Sequence, residues 1–103
     1  MNNNLKVVAD YHTHTIYSDG KGTIEQNVKS AIDKGLEIIG ISDHGYKHMG
    51  FGVKYNLFEK MRYEIDLIKE KYPQIKILLG VECNILDDRG NIDIDDKILG
   101  YFD

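Results

Sequence analysis

Disulfide bonding has no place in this chain, because Cys83 is its single cysteine and nothing points to an oxidising compartment. Long apolar runs are missing too, and none approaches the length that spans a bilayer. Residues 1–6 include three asparagines and lack the apolar core of a secretory signal. Basic charge is in deficit: 13 Lys and Arg stand against 17 Asp and Glu, for a net charge of −4. An unaided nucleic-acid binder normally shows a basic face, so nucleic acid is not the expected partner of this chain alone. No internal repeat appears, and low complexity is confined to Asn2–Asn4. What remains is a cytoplasmic globular protein. Its balance of 42% hydrophobic and 29% charged residues suits a folded state, and 103 residues allow one domain with a modest core.

Residues 5–11 read as a first strand. Side chains alternate faces along a strand, so Asp10, His12 and His14 are expected to project the same way. Ser18 to Gly22 is loop chemistry. Thr23 is placed to cap a helix, with Gln26 completing a capping box. Ile24, Val28, Ala31 and Ile32 follow at helical spacing, and Gly35 suits the left-handed end. Residues 36–41 read as a buried strand that ends at Ser42-Asp43-His44-Gly45. After a glycine-rich loop, Asn56 and Glu59 suggest a second capping box. The stripe Leu57, Met61, Ile65, Ile68 and Tyr72 follows, with Pro73 just past its end. Residues 75–81 read as a third strand ending at Glu82-Cys83-Asn84. Residues 84–86 and 92–94 suggest a hairpin, and 96–101 a short helical turn.

Strands alternating with helices imply parallel pairing through right-handed crossovers. In such sheets, functional residues gather beyond the carboxyl ends of the strands. The metal-ligand residue types fall there: His12 and His14, then Asp43 and His44, then Glu82. Imidazoles and carboxylates together suit Zn²⁺, Mn²⁺ or Fe²⁺. A carboxylate such as Glu82 has one oxygen for each of two ions. Asp19, five residues past His14, can reach the same mouth. Paired ions hold a phosphate, activate water and stabilise the leaving oxygen, which makes phosphate ester hydrolysis the natural reaction.

Each residue also has a plainer reading. Asp19 is typical of a simple turn, and Glu82 of a solvated strand end. Asp43 is equally suited to orienting an imidazole, and Asp10 to ligating or supporting. His48 has no partner at recognisable spacing and reads as an exposed loop histidine, with substrate contact as the lesser alternative. Tyr46, Lys47 and Lys54 can contact phosphate, or serve solubility alone. Cys83 is expected to turn away from Glu82 into packing.

Tyr11-His12-Thr13-His14, then Ser18-Asp19-Gly20, Ser42-Asp43-His44-Gly45 and Gly80-Val81-Glu82-Cys83-Asn84, together resemble the polymerase and histidinol phosphatase (PHP) family. The resemblance implies a distorted (β/α)7 barrel with up to three metal ions at its mouth, and phosphoesterase chemistry. It implies that His12 and His14 hold one ion, that Glu82 bridges to a second, and that His44 holds the third, with Asp19 at a position where the family places a ligand. The family draws further histidines and an Asp-x-His pair from later strands, and no histidine follows His48 here. A complete βα barrel usually needs about 200 residues or more. Residues 1–103 are therefore expected to be a single partial PHP domain, the N-terminal βαβαβ portion.

The expected function is a metal-dependent phosphoesterase, histidinol-phosphatase-like or acting on a related small phosphorylated substrate. The alternative is a non-catalytic metal-binding PHP module, associated with a polymerase. A three-stranded piece leaves sheet edges unpaired, so self-association is also expected.

Overall fold

The computed structural model describes residues 5–103, which places Asn2–Asn4 outside the described residues. Its elements in chain order are β1 (Ala9–Thr13), α1 (Ile24–Asp33), β2 (Ile38–Ile41), α2 (Phe58–Lys71), β3 (Lys76–Leu79) and α3 (Asp96–Leu99). The strands form one parallel sheet in the order β1-β2-β3. This is the α/β alternation expected of the first part of a PHP barrel.

The strands are shorter than the apolar runs, because a strand needs a partner. The Val8 carbonyl accepts from the amides of Glu37 and Ile38, and the ladder starts there. Residues 5–8 lie beyond the start of β2, so β1 begins at Ala9 and runs on to Thr13. Between Asp10 and Thr13 the register slips, with Asp10 opposite Ile39 but Thr13 opposite Ile41. The extra residue in β1 is a bulge, and bulges re-aim side chains. Glycine at position 40 permits it: a Cβ there would stand 2.4 Å from the Tyr11 carbonyl oxygen.

The Thr23–Gln26 capping box starts α1, and Gly35 takes a left-handed φ of +79° beyond its end. The box expected at Asn56 and Glu59 does not form. A 3₁₀ turn, Tyr55–Leu57, leads into α2 instead, and Leu57 stands at the cap with no side-chain hydrogen bond. Packing sets this entry: Val53 and Phe58 on either side are buried. The expected hairpin is reduced to one antiparallel bridge between Ile85 and Ile92.

Ile39, Ile41, Ile77 and Leu79 join the buried residues of α1 (Ile24, Val28, Ala31) and α2 (Phe58, Met61, Ile65, Ile68) in one core. Each of these side chains larger than alanine stabilises the fold by about 1.5–3 kcal/mol relative to exposure. On the opposite face Ile38 and Leu78 are only half-buried, and Lys76 is exposed. Among the described residues β1 and β3 each keep one outer edge without a strand partner. Exposed Val7 and Tyr11 flank the β1 edge. Light scattering after size exclusion is expected to show dimers or larger species, rising with concentration; a single monomeric species at all concentrations would contradict this. Among the described residues no helix is long and apolar enough to cross a membrane.

Candidate metal centre

The bulge delivers His12 near the end of β1 and His14 just past it. The following loop is tied down by a buried carboxylate. Asp43 accepts from the Thr15 amide at 2.6 Å, the Thr15 hydroxyl at 2.8 Å and the Ser18 hydroxyl at 2.6 Å. From α1, the Asn27 amide group donates to the His14 carbonyl at 2.9 Å. Gly20 folds against His14 so closely that a Cβ would stand 2.4 Å from that same oxygen. His14 and Asp19 are therefore placed by the loop's own bonding. Among the described residues Asp43 makes no hydrogen bond to an imidazole: it orders the loop that carries two site residues, where the sequence suggested a ligand or a partner for histidine.

Pairing of β2 with β3 continues past both strands. The Glu82 amide donates to the Asp43 carbonyl, and the Gly45 amide to the Glu82 carbonyl, each at 2.9 Å. The resulting parallel bridge sets His44 beside Glu82. Backbone pairing, available to any residue type, thus fixes the spacing of two site residues.

The structure brings His12, His14, Asp19, His44 and Glu82 together. Glu82 Oε1 lies 2.8 Å from His12 Nε2 and 3.7 Å from His14 Nε2. Its other oxygen, Oε2, lies 2.7 Å from His44 Nδ1. Asp19 sits on the far side, with Oδ1 at 2.7 Å from His14 Nδ1 and Oδ2 at 3.2 Å from His44 Nε2. His12 Nε2 and His14 Nε2 are 3.1 Å apart. Two groups have ligand atoms all within 4.8 Å of one another: His12, His14 and Glu82, and His14, Asp19 and His44. Contact with His14, chiefly, holds the Asp19 carboxyl below the usual carboxylate range.

Whether these residues fit a cation is tested by His44 Nδ1. It is buried, and it has no hydrogen-bond partner despite standing 2.7 Å from Glu82 Oε2. The approach is short but the angles are wrong for a hydrogen bond. A buried nitrogen left this way costs about 1–3 kcal/mol, which a shared cation would offset. Imidazole and carboxylate donors converging in this way are the donor set that suits Zn²⁺, Mn²⁺ or Fe²⁺. Asp10 stands outside both groups. Its Oδ1 accepts from the His12 amide at 3.0 Å, and the bulge breaks the alternation that would have aligned its side chain with the histidines.

Two contributors were missed or ranked low by the sequence reading. Asp93 is 1% exposed and accepts from the Asn84 amide and side chain, both at 2.7 Å, and from the Lys47 amide at 3.1 Å. It thereby joins the loops after Glu82 and His44. Burial would push its carboxyl up, but the bonds from Asn84 and Lys47 outweigh this and hold it below the usual range. Its ionised form is favoured by folding, so its contribution is present above about pH 4 and is lost as pH falls through the depressed value. Asp93→Asn is expected to flatten the acid limb of thermal midpoint against pH; an unchanged limb would contradict the assignment. In the run Ile92-Asp93-Ile94-Asp95 nothing but tertiary packing distinguishes this carboxylate from its solvated neighbour. The second is His48, which is half-buried and not the exposed loop residue expected, and stacks on His44 with ring centroids 4.1 Å apart. Cys83 is exposed, not packed, because the chain past β3 has left the covered part of the sheet.

The PHP domain family model matches residues 10–99, nearly the whole described chain. The chain belongs to the PHP domain family. Over 96% of its length it is 41% identical to a probable phosphatase of Caldanaerobacter subterraneus subsp. tengcongensis, of which it covers 37%. It is 36% identical, again over 96% of its length, to a probable phosphatase of Acetivibrio thermocellus, covering 39% of that protein. To the DNA polymerase/3'-5' exonuclease PolX of Bacillus subtilis it is 32% identical over 95% of its length, and it spans 17% of that protein. The chain thus spans under two fifths of each of these relatives. PHP domains generally bind metals, and the two donor groups offer this one places to do so.

Proposed function

We propose that this PHP domain forms part of the active site of a metal-dependent phosphoesterase acting on a small phosphorylated substrate. One observation carries the reading: Glu82 divides its two oxygens between the His12–His14 pair and His44. His12, His14 and Glu82 Oε1 would hold one divalent ion, and His44 Nδ1 and Glu82 Oε2 would contribute to a second, while Asp19 faces His14 Nδ1 and His44 Nε2. Bound there, Zn²⁺, Mn²⁺ or Fe²⁺ would neutralise phosphate oxygens and lower the pKa of water.

The chain's own residues prepare this chemistry. Asp43 holds the His14–Asp19 loop, and the extended β2–β3 pairing holds Glu82 against His44. Asp19 turns one oxygen to each of two histidines, which limits their rotation. The probable phosphatases among the relatives support a small phosphorylated substrate. The net charge of −4 points away from nucleic acid. The reading includes that these three strands are the N-terminal portion of a larger barrel, as the share of the relatives they span supports.

Hydrolysis of p-nitrophenyl phosphate after addition of Mn²⁺ or Zn²⁺ tests it. Turnover that disappears in His12→Ala is the expected result. Bound metal without turnover would favour the second reading, a non-catalytic metal-binding module, which the similarity to PolX supports. Absence of any transition-metal binding would exclude both.

A further inference from the structure

We propose that His48 is a phosphate-binding residue of this site, presenting its Nε2–H to a phosphoryl oxygen beside the metal ions. The inference rests on the metal-dependent reading above and adds a residue to it. Three observations carry it.

The first is position. The His48 ring stacks on His44 at 4.1 Å with 28° between planes, so it packs directly on one residue of the donor cluster. The second is the state of its nitrogens. The Phe51 amide donates to His48 Nδ1 at 3.2 Å. A nitrogen that accepts carries no proton, which leaves the Nε2 position to carry the ring N–H. Among the described residues Nε2 has no hydrogen-bond partner, and the residue is half-buried, so the donor remains open to a ligand.

The third is rigidity. The loop that carries His48 is closed on itself. The Val53 amide donates to the His44 carbonyl at 3.0 Å and the His48 amide to the Gly45 carbonyl at 3.1 Å. Gly52 packs so tightly on Gly45 that a Cβ would stand 2.2 Å from its carbonyl oxygen, and Gly50 takes φ +100°. Asp93 holds the Lys47 amide from below. A histidine on such a loop loses little freedom on binding, which is how a single donor contributes measurably to affinity.

The other phosphate candidates of this loop are turned elsewhere. The Lys47 ammonium lies 5.4 Å from the Tyr46 ring centroid, and Tyr46 packs edge-on against Tyr55. Lys54 lines a cavity with Tyr17, Leu57 and Lys60.

Two substitutions separate the donor from the fold of the loop. His48→Asn keeps an acceptor near the Nδ1 position for Phe51 and removes the distal donor. His48→Gln places an amide N–H near the Nε2 position. Calorimetry with Mn²⁺ first and inorganic phosphate second reads both steps. The expected result for His48→Asn is unchanged Mn²⁺ affinity with phosphate affinity about tenfold weaker, and for His48→Gln recovery of most of that loss. Normal Mn²⁺ uptake with parental phosphate affinity in His48→Asn would overturn this proposal alone. No Mn²⁺ uptake by the parent chain would overturn the metal-dependent reading and this proposal with it.

Discussion

Asp43→Ala is expected to lower the free energy of unfolding by about 3–5 kcal/mol and to weaken metal binding with it. The carboxylate is 1% exposed and accepts three hydrogen bonds, two from Thr15 and one from Ser18. A hydrogen bond to a charged group is worth about 1.5–3 kcal/mol net, and bonds that share one acceptor do not add fully. Alanine leaves the buried Thr15 amide and hydroxyl with no acceptor. The loss is a large share of the roughly 5–15 kcal/mol that holds an ordinary domain together. Asp43→Asn is the informative companion. Its carbonyl can keep the Thr15 amide and the Ser18 hydroxyl, and its amide can donate to the Thr15 oxygen. Asparagine is therefore expected to recover at least half of the loss. Urea unfolding followed by circular dichroism measures both. Equal losses in the two variants would show that the charge, and not the hydrogen-bond geometry, holds the loop.

Glu82→Ala is expected to weaken Mn²⁺ or Zn²⁺ binding by at least about 100-fold while leaving the fold in place. Loss of a group that merely supports a ligand typically costs 10–100-fold, and Glu82 faces both donor groups directly. The fold should survive because position 82 contributes to the sheet through its backbone, donating to Asp43 and accepting from Gly45. Thermal unfolding with metal reads the effect. At a metal concentration 100 times the dissociation constant the parent gains about 2.7 kcal/mol of stability, and the variant should gain almost none. An equal metal-induced shift in parent and variant would place the ion elsewhere.

Much of this architecture is legible in the residue order. Val28 and Ala31 at helical spacing, the Thr23–Gln26 box and the isoleucine-rich strands announce themselves locally, because propensity and burial agree there. The gathering of His12, His14, His44 and Glu82 follows from topology, since parallel strands put their carboxyl ends at one edge. What stayed hidden depends on contacts distant in sequence. Asp10 fell out of line because a bulge, made possible by Gly40, resets the alternation. Asp43 turned out to serve Thr15 and Ser18, 28 and 25 positions earlier. His48 joined the site only because Gly45, Gly50 and Gly52 fold its loop back onto His44. The 3₁₀ entry to α2 replaced a capping box whose residues were all present, since burial of Val53 and Phe58 outweighs one cap of about 1 kcal/mol.

The central claim is that Glu82 stands between two metal positions. Anomalous diffraction at the manganese edge, from crystals grown with Mn²⁺, tests it most directly. The expected map has one peak within about 2.0–2.3 Å of the His12 and His14 nitrogens and Glu82 Oε1, and a second beside His44 Nδ1 and Glu82 Oε2. A map with no peak at Glu82, or with manganese only at the exposed Asp87–Asp88 turn, would contradict it.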